Sequence, residues 1–389
     1  MGDIGCRPAT TIPRSERSRT LFGVLASRRR GAPLGLALTV VVVVAAVLVG
    51  AYIAVRGPDK ADLTVRPQQA PLQERVSKLP LAPGRTLLAG GQEGLWVARQ
   101  VGTTAEGRLI RFDPESMERL NQWPLGLKPR GLGVGGRSVW VLGQPTGRNG
   151  LPALLRIHPK NGKVLSQLVL GGRSACSETK FTECDPVVAG GGVWVSLKEQ
   201  LMKISLDGRS SELAVPLGGQ VWDVAAGGGW LWALAERGLY KINPQNGERT
   251  RIRLVDIGED QQANHIAVGP DAVWISSFPT PNARLRIGRL TKVDTTLDVP
   301  KIVKTVIYPG AASLALLDGG LWIDRFSGQG ELDRVNADDG VLTGPIVTRL
   351  DDVTRLVPLN GELWAVTWNP TTRARQLVRV QLNPVTEGA

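Results

Sequence analysis

Cysteine and histidine are nearly absent: 389 residues contain three of the first and two of the second. So few thiols and imidazoles exclude a metal-rich module and a small fold stapled by disulfides. Methionine (3), tyrosine (3) and phenylalanine (5) are also scarce, yet tryptophan reaches 11. An aromatic inventory skewed to one type suggests one Trp-bearing unit copied several times. No G-x-S-x-G elbow and no Walker A loop occurs, so neither a nucleophile-elbow esterase nor a P-loop nucleotide site is indicated. Glycine (47) and proline (26) stay below the share that marks a low-complexity chain, and 42% of the residues are apolar. There is ample material for a folded core.

Downstream of residue 55 there is no long uncharged apolar run. Upstream there is one. Gly31 to Val55 carries no charge, and 34–55 reads LGLALTVVVVVAAVLVGAYIAV. As helix this is about 33 Å long, enough for a hydrocarbon core of about 30 Å. Seven arginines against Asp3 and Glu16 precede it, with Arg28, Arg29 and Arg30 abutting the span. The positive-inside rule then keeps a basic tail at 1–33 cytoplasmic and exports everything after the single transmembrane helix. A cleaved signal peptide is the competing reading, but the run is too long for it, and Tyr52 and Ile53 spoil the best cleavage site. Residues 56–72, with Pro58, Pro67 and Pro71, read as a stalk.

Cysteine placement agrees with export. Cys6 is alone in the tail. Cys176 and Cys184 lie in GGRSACSETKFTECDP, between two repeats of the exported part. An oxidising compartment would let them pair, and closing so short a loop contributes roughly 2–3 kcal/mol. Zinc is a poor alternative, because C-x7-C has no second ligand pair nearby.

The exported chain repeats itself. An apolar-Trp-apolar core recurs as GLWVA (Trp96), SVWVL (Trp140), GVWVS (Trp194), WLWAL (Trp232), AVWIS (Trp274), GLWID (Trp322) and ELWAV (Trp364). Each is followed by a second alternating segment ending in turn residues, such as LIRFDPES, LLRIHPKNG and LYKINPQNG. Seven copies at roughly 40–45 residues match the period of four-stranded propeller blades. The expected fold is therefore all-β, a seven-bladed β-propeller over 73–384 with a short tail at 385–389. The last copy runs out after its third strand. The missing fourth strand is found at the other end, where QERVSKLPL (73–81) matches ERLNQWPL (118–125) in the first blade. Residues 73–81 should close the ring and remove an exposed sheet edge. The repeated Trp residues are expected in the packing between blades, while Trp222 and Trp368 break the pattern and are candidates for exposed stacking.

The unit Ile266-Ala-Val-Gly-Pro-Asp-Ala-Val-Trp274 followed by Ile287-Gly-Arg-Leu290 resembles the blade of streptogramin B lyase-like propellers. Propellers of the YncE (YVTN) type share this style of repeat. The resemblance spans 73–384 and implies the fold; such blades serve many functions, so it says little about activity. Lyases of that family are expected to use axial histidines, a glutamate just after the Trp strand and a divalent metal. Here the stretch after Trp274 is Ile275-Ser276-Ser277, with serines in the acid's place. His158 occupies the Asp/Asn slot of a strand-end turn, leaving His265 as the sole candidate base of the exported part.

Propellers usually present ligands at the axial mouth. Counting back from each Trp, the innermost strands are entered at Gly131, Pro186, Asp223, His265, Ser313 and Arg355 in blades two to seven. One position earlier stand Arg130, Asp185, Trp222, Asn264, Ala312 and Thr354, with Arg85 or Thr86 in blade one. A ring containing Arg130, Asp185, Asp223, Asn264, His265 and Arg355 suits a polar ligand; mutual salt bridging across the channel is the bland alternative. No catalytic residue, metal or cofactor is expected. The favoured function is a membrane-anchored binding or scaffold module of the cell envelope, taking an envelope protein, glycan or small ligand at its axial face. The alternative is a lyase-like enzyme with its site at the same mouth. About +7 of the chain's +12 lies in the exported part, dispersed, which suits an anionic envelope better than nucleic acid.

Overall fold

The computed structural model describes residues 73–383, apart from 92–93, 101–105, 146–149, 172–183, 255–260, 280–287, 309–312, 326–329 and 348–349. The chain divides after Pro67 into two units. The expected basic tail, the span at 34–55 and the stalk at 56–72 lie outside the described residues. Among the described residues no helix is long and apolar enough to cross a membrane.

Seven antiparallel sheets of four strands follow one another along the chain. Their innermost strands are Thr86–Gly91, Leu127–Gly135, Val187–Ala189, Val221–Gly227, Gln261–Val268, Leu314–Leu317 and Asp352–Leu359. Each touches the next, and the seventh touches the first, so the ring is closed. The closing strand is Gln73–Leu81. It pairs with Arg375–Asn383 as the outermost strand of blade 7, in unbroken register from Gln73 opposite Asn383 to Leu81 opposite Arg375.

Alternation along each strand sends one set of side chains to the preceding blade and the other to the following one. The core is accordingly seven apolar layers between blades rather than one central mass. The seven repeated Trp side chains lie in these layers at 0–1% exposure. Opposite each, on the third strand, stands a cation: Arg111, Arg156, Lys203, Lys241, Lys292, Arg334 and Arg379 in blade order. In five blades the cation lies 5.7–6.0 Å from the Trp ring centroid. A cation there gains electrostatically from the ring face and covers it with its alkyl stem. Some of these groups also reach the next blade. Lys292 Nζ donates to the carbonyls of Ala337 (2.8 Å) and Asp338 (2.7 Å). Arg379 is held by Glu362 through two bonds of 2.6 Å and donates to the Glu115 carbonyl of blade 1, fastening the closure. Part of the positive excess is thus structural.

The turns between third and fourth strands are fixed by side-chain acceptors. Asp113 Oδ1 accepts from the amides of Glu115 (2.8 Å) and Ser116 (3.0 Å). Asn369 caps the turn between the second and third strands of blade 7 in this way, and Asn243, Asp294 and Asn336 each accept an amide in the third-to-fourth-strand turns of blades 4, 5 and 6. His158 fills this slot in blade 2, its Nδ1 accepting from the Lys160 amide at 3.2 Å. His158→Asn should therefore shift stability by no more than about 0.5 kcal/mol in thermal melting. A drop above roughly 2 kcal/mol would mean that the imidazole does more than cap a turn. Gly208, in the corresponding turn of blade 3, has φ +71, and a Cβ there would meet Ser166 Oγ at 2.4 Å and the Trp140 ring at 3.1 Å. Only glycine lets this turn lie against the preceding blade.

Two side chains differ from expectation. Trp222 is half-buried and packs against the layer between blades 4 and 5, and Trp368 is half-buried as well. Neither is an exposed platform. The exposed one is Trp230, at 36%, with Lys241 Nζ 4.4 Å from its ring centroid.

Candidate functional site

Four of the innermost strands carry the same irregularity. Pairing with the second strand skips one residue between Pro129 and Gly131, Val221 and Asp223, Ala263 and His265, and Val353 and Arg355. The skipped residues are Arg130, Trp222, Asn264 and Thr354. A bulge of this kind bends the strand and re-aims the side chains around it. In each strand the skipped residue directly precedes the entrance residue.

These entrances are tied together in pairs. Asp185 Oδ1, in blade 3, accepts from the Leu132 amide of blade 2 at 2.8 Å. Asp223 Oδ2, in blade 4, accepts from the Ile266 amide of blade 5 at 2.9 Å. Ser313 Oγ, in blade 6, accepts from the Leu356 amide of blade 7 at 2.9 Å. The three donors follow the entrance residues Gly131, His265 and Arg355. Pairs 2/3, 4/5 and 6/7 use six blades, and blade 1, with Arg85, stands outside the scheme.

A longer contact crosses the channel. Arg355 Nη2 lies 2.5 Å from Asp185 Oδ2, joining blades 7 and 3, which are not neighbours. His265 Nδ1 lies 3.5 Å from Asp223 Oδ2. Arg85, Asp223 and His265 are close enough to Asp185 for their charges to act on it. Burial pushes the Asp185 carboxyl up to about 7; the Leu132 amide opposes the rise, and Asp223 adds to it. Burial also pushes Arg355 down, to about 10. That leaves Arg355 cationic at neutral pH, so its contact favours the Asp185 carboxylate.

Of the six candidate residues, five therefore stand in or beside one polar plug: Asp185, Asp223, His265, Arg355 and Asn264, which is 2% exposed and adjoins His265. Arg130 sits half-buried on its bulge, near enough to Arg85 to depress its proton affinity. Cross-channel pairing is a feature of the site. The Asn264 Nδ2 and Ser276 Oγ are buried without a hydrogen-bond partner, and Ser276 lies directly opposite His265 in register. Ser276 and Ser277 are both buried where the lyase pattern requires an acid. Among the described residues no group of three His, Cys, Asp or Glu side chains could hold a metal ion. Cys184 is buried, while Cys176 lies outside the described residues.

Sequence reasoning missed the role of Ser313, because a serine at a strand entrance carries no signal without its acceptor geometry. It also missed a groove of about 600 Å³ between blades 4 and 5, lined by Trp230, Lys241, Glu248 and Asp298 among others. The run Gly227-Gly228-Gly229 before Trp230 was the available hint.

No protein-family model and no curated protein matches this sequence. Solved structures do match in fold. The β-propeller domain of Cps50 (Swd1) from Myceliophteria thermophila aligns with a TM-score of 0.55 at 13% identity, covering 79% of this chain and 99% of that one. BamB from Moraxella catarrhalis gives 0.50 at 10% identity, over 82% and 99%. The WD40 domain of Neurospora crassa Pan2 gives 0.50 at 11%, over 81% and 91%. At these identities the likeness establishes the propeller fold alone.

Proposed function

We propose that this chain is a membrane-anchored, extracytoplasmic propeller that binds a partner at its axial mouth and performs no chemistry. The observation that carries this reading is the state of the mouth. Its acids are held by amides of adjacent blades and by Arg355 and His265, which makes the mouth a connected polar face suited to recognition. The repeat resembles that of streptogramin B lyase-like and YncE-type propellers, and binding is the role that needs no glutamate at Ser277.

The test is capture from an envelope extract on the full chain, comparing wild type with Arg130→Glu at the mouth and Val303→Glu on the exposed outer strand of blade 5. Envelope components, protein or glycan, retained by wild type and Val303→Glu but lost by Arg130→Glu support the reading. Components lost only with Val303→Glu place the contact on the rim and defeat it. Turnover of a cyclic depsipeptide that disappears in His265→Ala would replace binding with lyase chemistry.

Orientation is tested separately. Protease added to intact cells should reach the propeller and spare residues 1–33. Cys176 and Cys184 are proposed to pair. Non-reducing mass spectrometry should find the two in one linked peptide; free thiols at both positions would undermine export.

A further inference from the structure

We propose that the seam between blades 7 and 1 carries an oxyanion site, in which Arg99 and Arg108 of blade 1 face Arg375 of blade 7 and receive the carboxylate or phosphate group of a ligand. The proposal stands or falls without the binding role assigned to the axial plug.

The placement follows from strand alternation. Val97 and Ile110 belong to the apolar layer between blades 7 and 1. Arg99 and Arg108 lie two residues along the same strands and so face blade 7. They are directly opposite one another in register, with Thr86 on the same rung. Leu377 and Val366 of blade 7 belong to the same layer. Arg375 and Trp368, two residues from each, therefore face blade 1, and they too are opposite one another. All four side chains are half-buried.

Like charges directly opposite in adjacent strands are destabilising, and half-buried guanidinium groups normally find a carboxylate. Among the described residues no ion pair includes Arg99, Arg108 or Arg375. The Nε of Arg99 is buried with no acceptor. The acid on this rung is Asp352, which is separated from Arg375 by Trp368, two strand spacings or about 9–10 Å away. Burial and its neighbour Asp351 push its carboxyl up. Burial also pushes Arg99 and Arg375 down, with Arg108 acting on the first and Arg85 on the second. Forked donors set on the facing surfaces of two blades suit a carboxylate or phosphate, and an anion would relieve the repulsion between the opposed Arg99 and Arg108.

The experiment is thermal melting of the full chain in detergent at fixed ionic strength, replacing chloride stepwise with inorganic phosphate or with citrate up to about 20 mM. One or both anions should raise the midpoint by about 2–4 °C in a saturable way. The anion that acts identifies the oxyanion. In chloride alone, Arg99→Gln and Arg375→Gln should melt at or above wild type, and neither should respond to the anions. Arg119→Gln, on the exposed outer strand of the same blade, should respond as wild type does. No response from wild type, equal responses in all variants, or a lower midpoint for Arg375→Gln in chloride would each overturn the proposal.

Discussion

A chain lacking residues 73–81 is expected to lose about 4–6 kcal/mol and to melt roughly 6–9 °C lower than wild type. The strand contributes its full ladder to Arg375–Asn383, and Leu81 is buried while Val76 and Leu79 pack into the layers on either side of blade 7. Without it blade 7 has three strands and a bare edge, which also invites association between copies. An equal deletion within 56–72 is the control and should leave melting unchanged. Aggregation and a lowered midpoint in the first deletion alone would establish the closure. An unchanged midpoint would mean that the ring does not depend on it.

Replacing Arg355 with methionine should cost about 3–5 kcal/mol at pH 8, because it leaves Asp185 buried without its cation. The cost should shrink sharply at pH 5. The sign follows from Asp185, whose carboxyl is raised to about 7 in the fold. A raised carboxyl favours the folded state fully below the ordinary value near 4, and this contribution is lost as pH rises through about 7. Removing Arg355 takes away a cation in direct contact with the carboxylate, so the loss with pH becomes steeper. Asp185→Asn keeps an acceptor for the Leu132 amide and should flatten the dependence between pH 5 and 8. Chemical denaturation at the two pH values reads both effects. Parallel pH profiles in wild type and Asp185→Asn would show that Asp185 does not titrate in this range.

Much of the architecture was legible because a repeat constrains itself. Seven copies of one Trp motif set the blade count, and the match between 73–81 and 118–125 located the closing strand to the residue. His158 could be placed in a turn because Asp113 and Asn243 occupy its slot in sibling copies. The cation opposite each Trp was equally visible, as the Arg or Lys of LIRF, LLRI, LMKI, LYKI, LTKV, LDRV and LVRV, but its meaning depends on register. Until strands two and three are aligned, seven basic residues read as dispersed surface charge.

The axial mouth was legible only as a set of positions. Strand entrances could be counted back from each Trp, which brought Asp185, Asp223, His265 and Arg355 into one ring. Their pairing could not be read, since it joins residues such as Asp185 and Arg355 from blades on opposite sides of the channel. The bulges at Arg130, Trp222, Asn264 and Thr354 were equally hidden, because one skipped residue leaves no compositional trace.

The sequence by itself determined the propeller, its seven blades and the strand that closes it, because local alternation and a repeated turn chemistry act over a few residues at a time. The tertiary structure decided which charges neutralise one another at the mouth and which cations, such as Arg99 and Arg108, are set opposite one another. The first outcome depends on distances between segments far apart in the chain, which ring closure fixes, and the second on strand register.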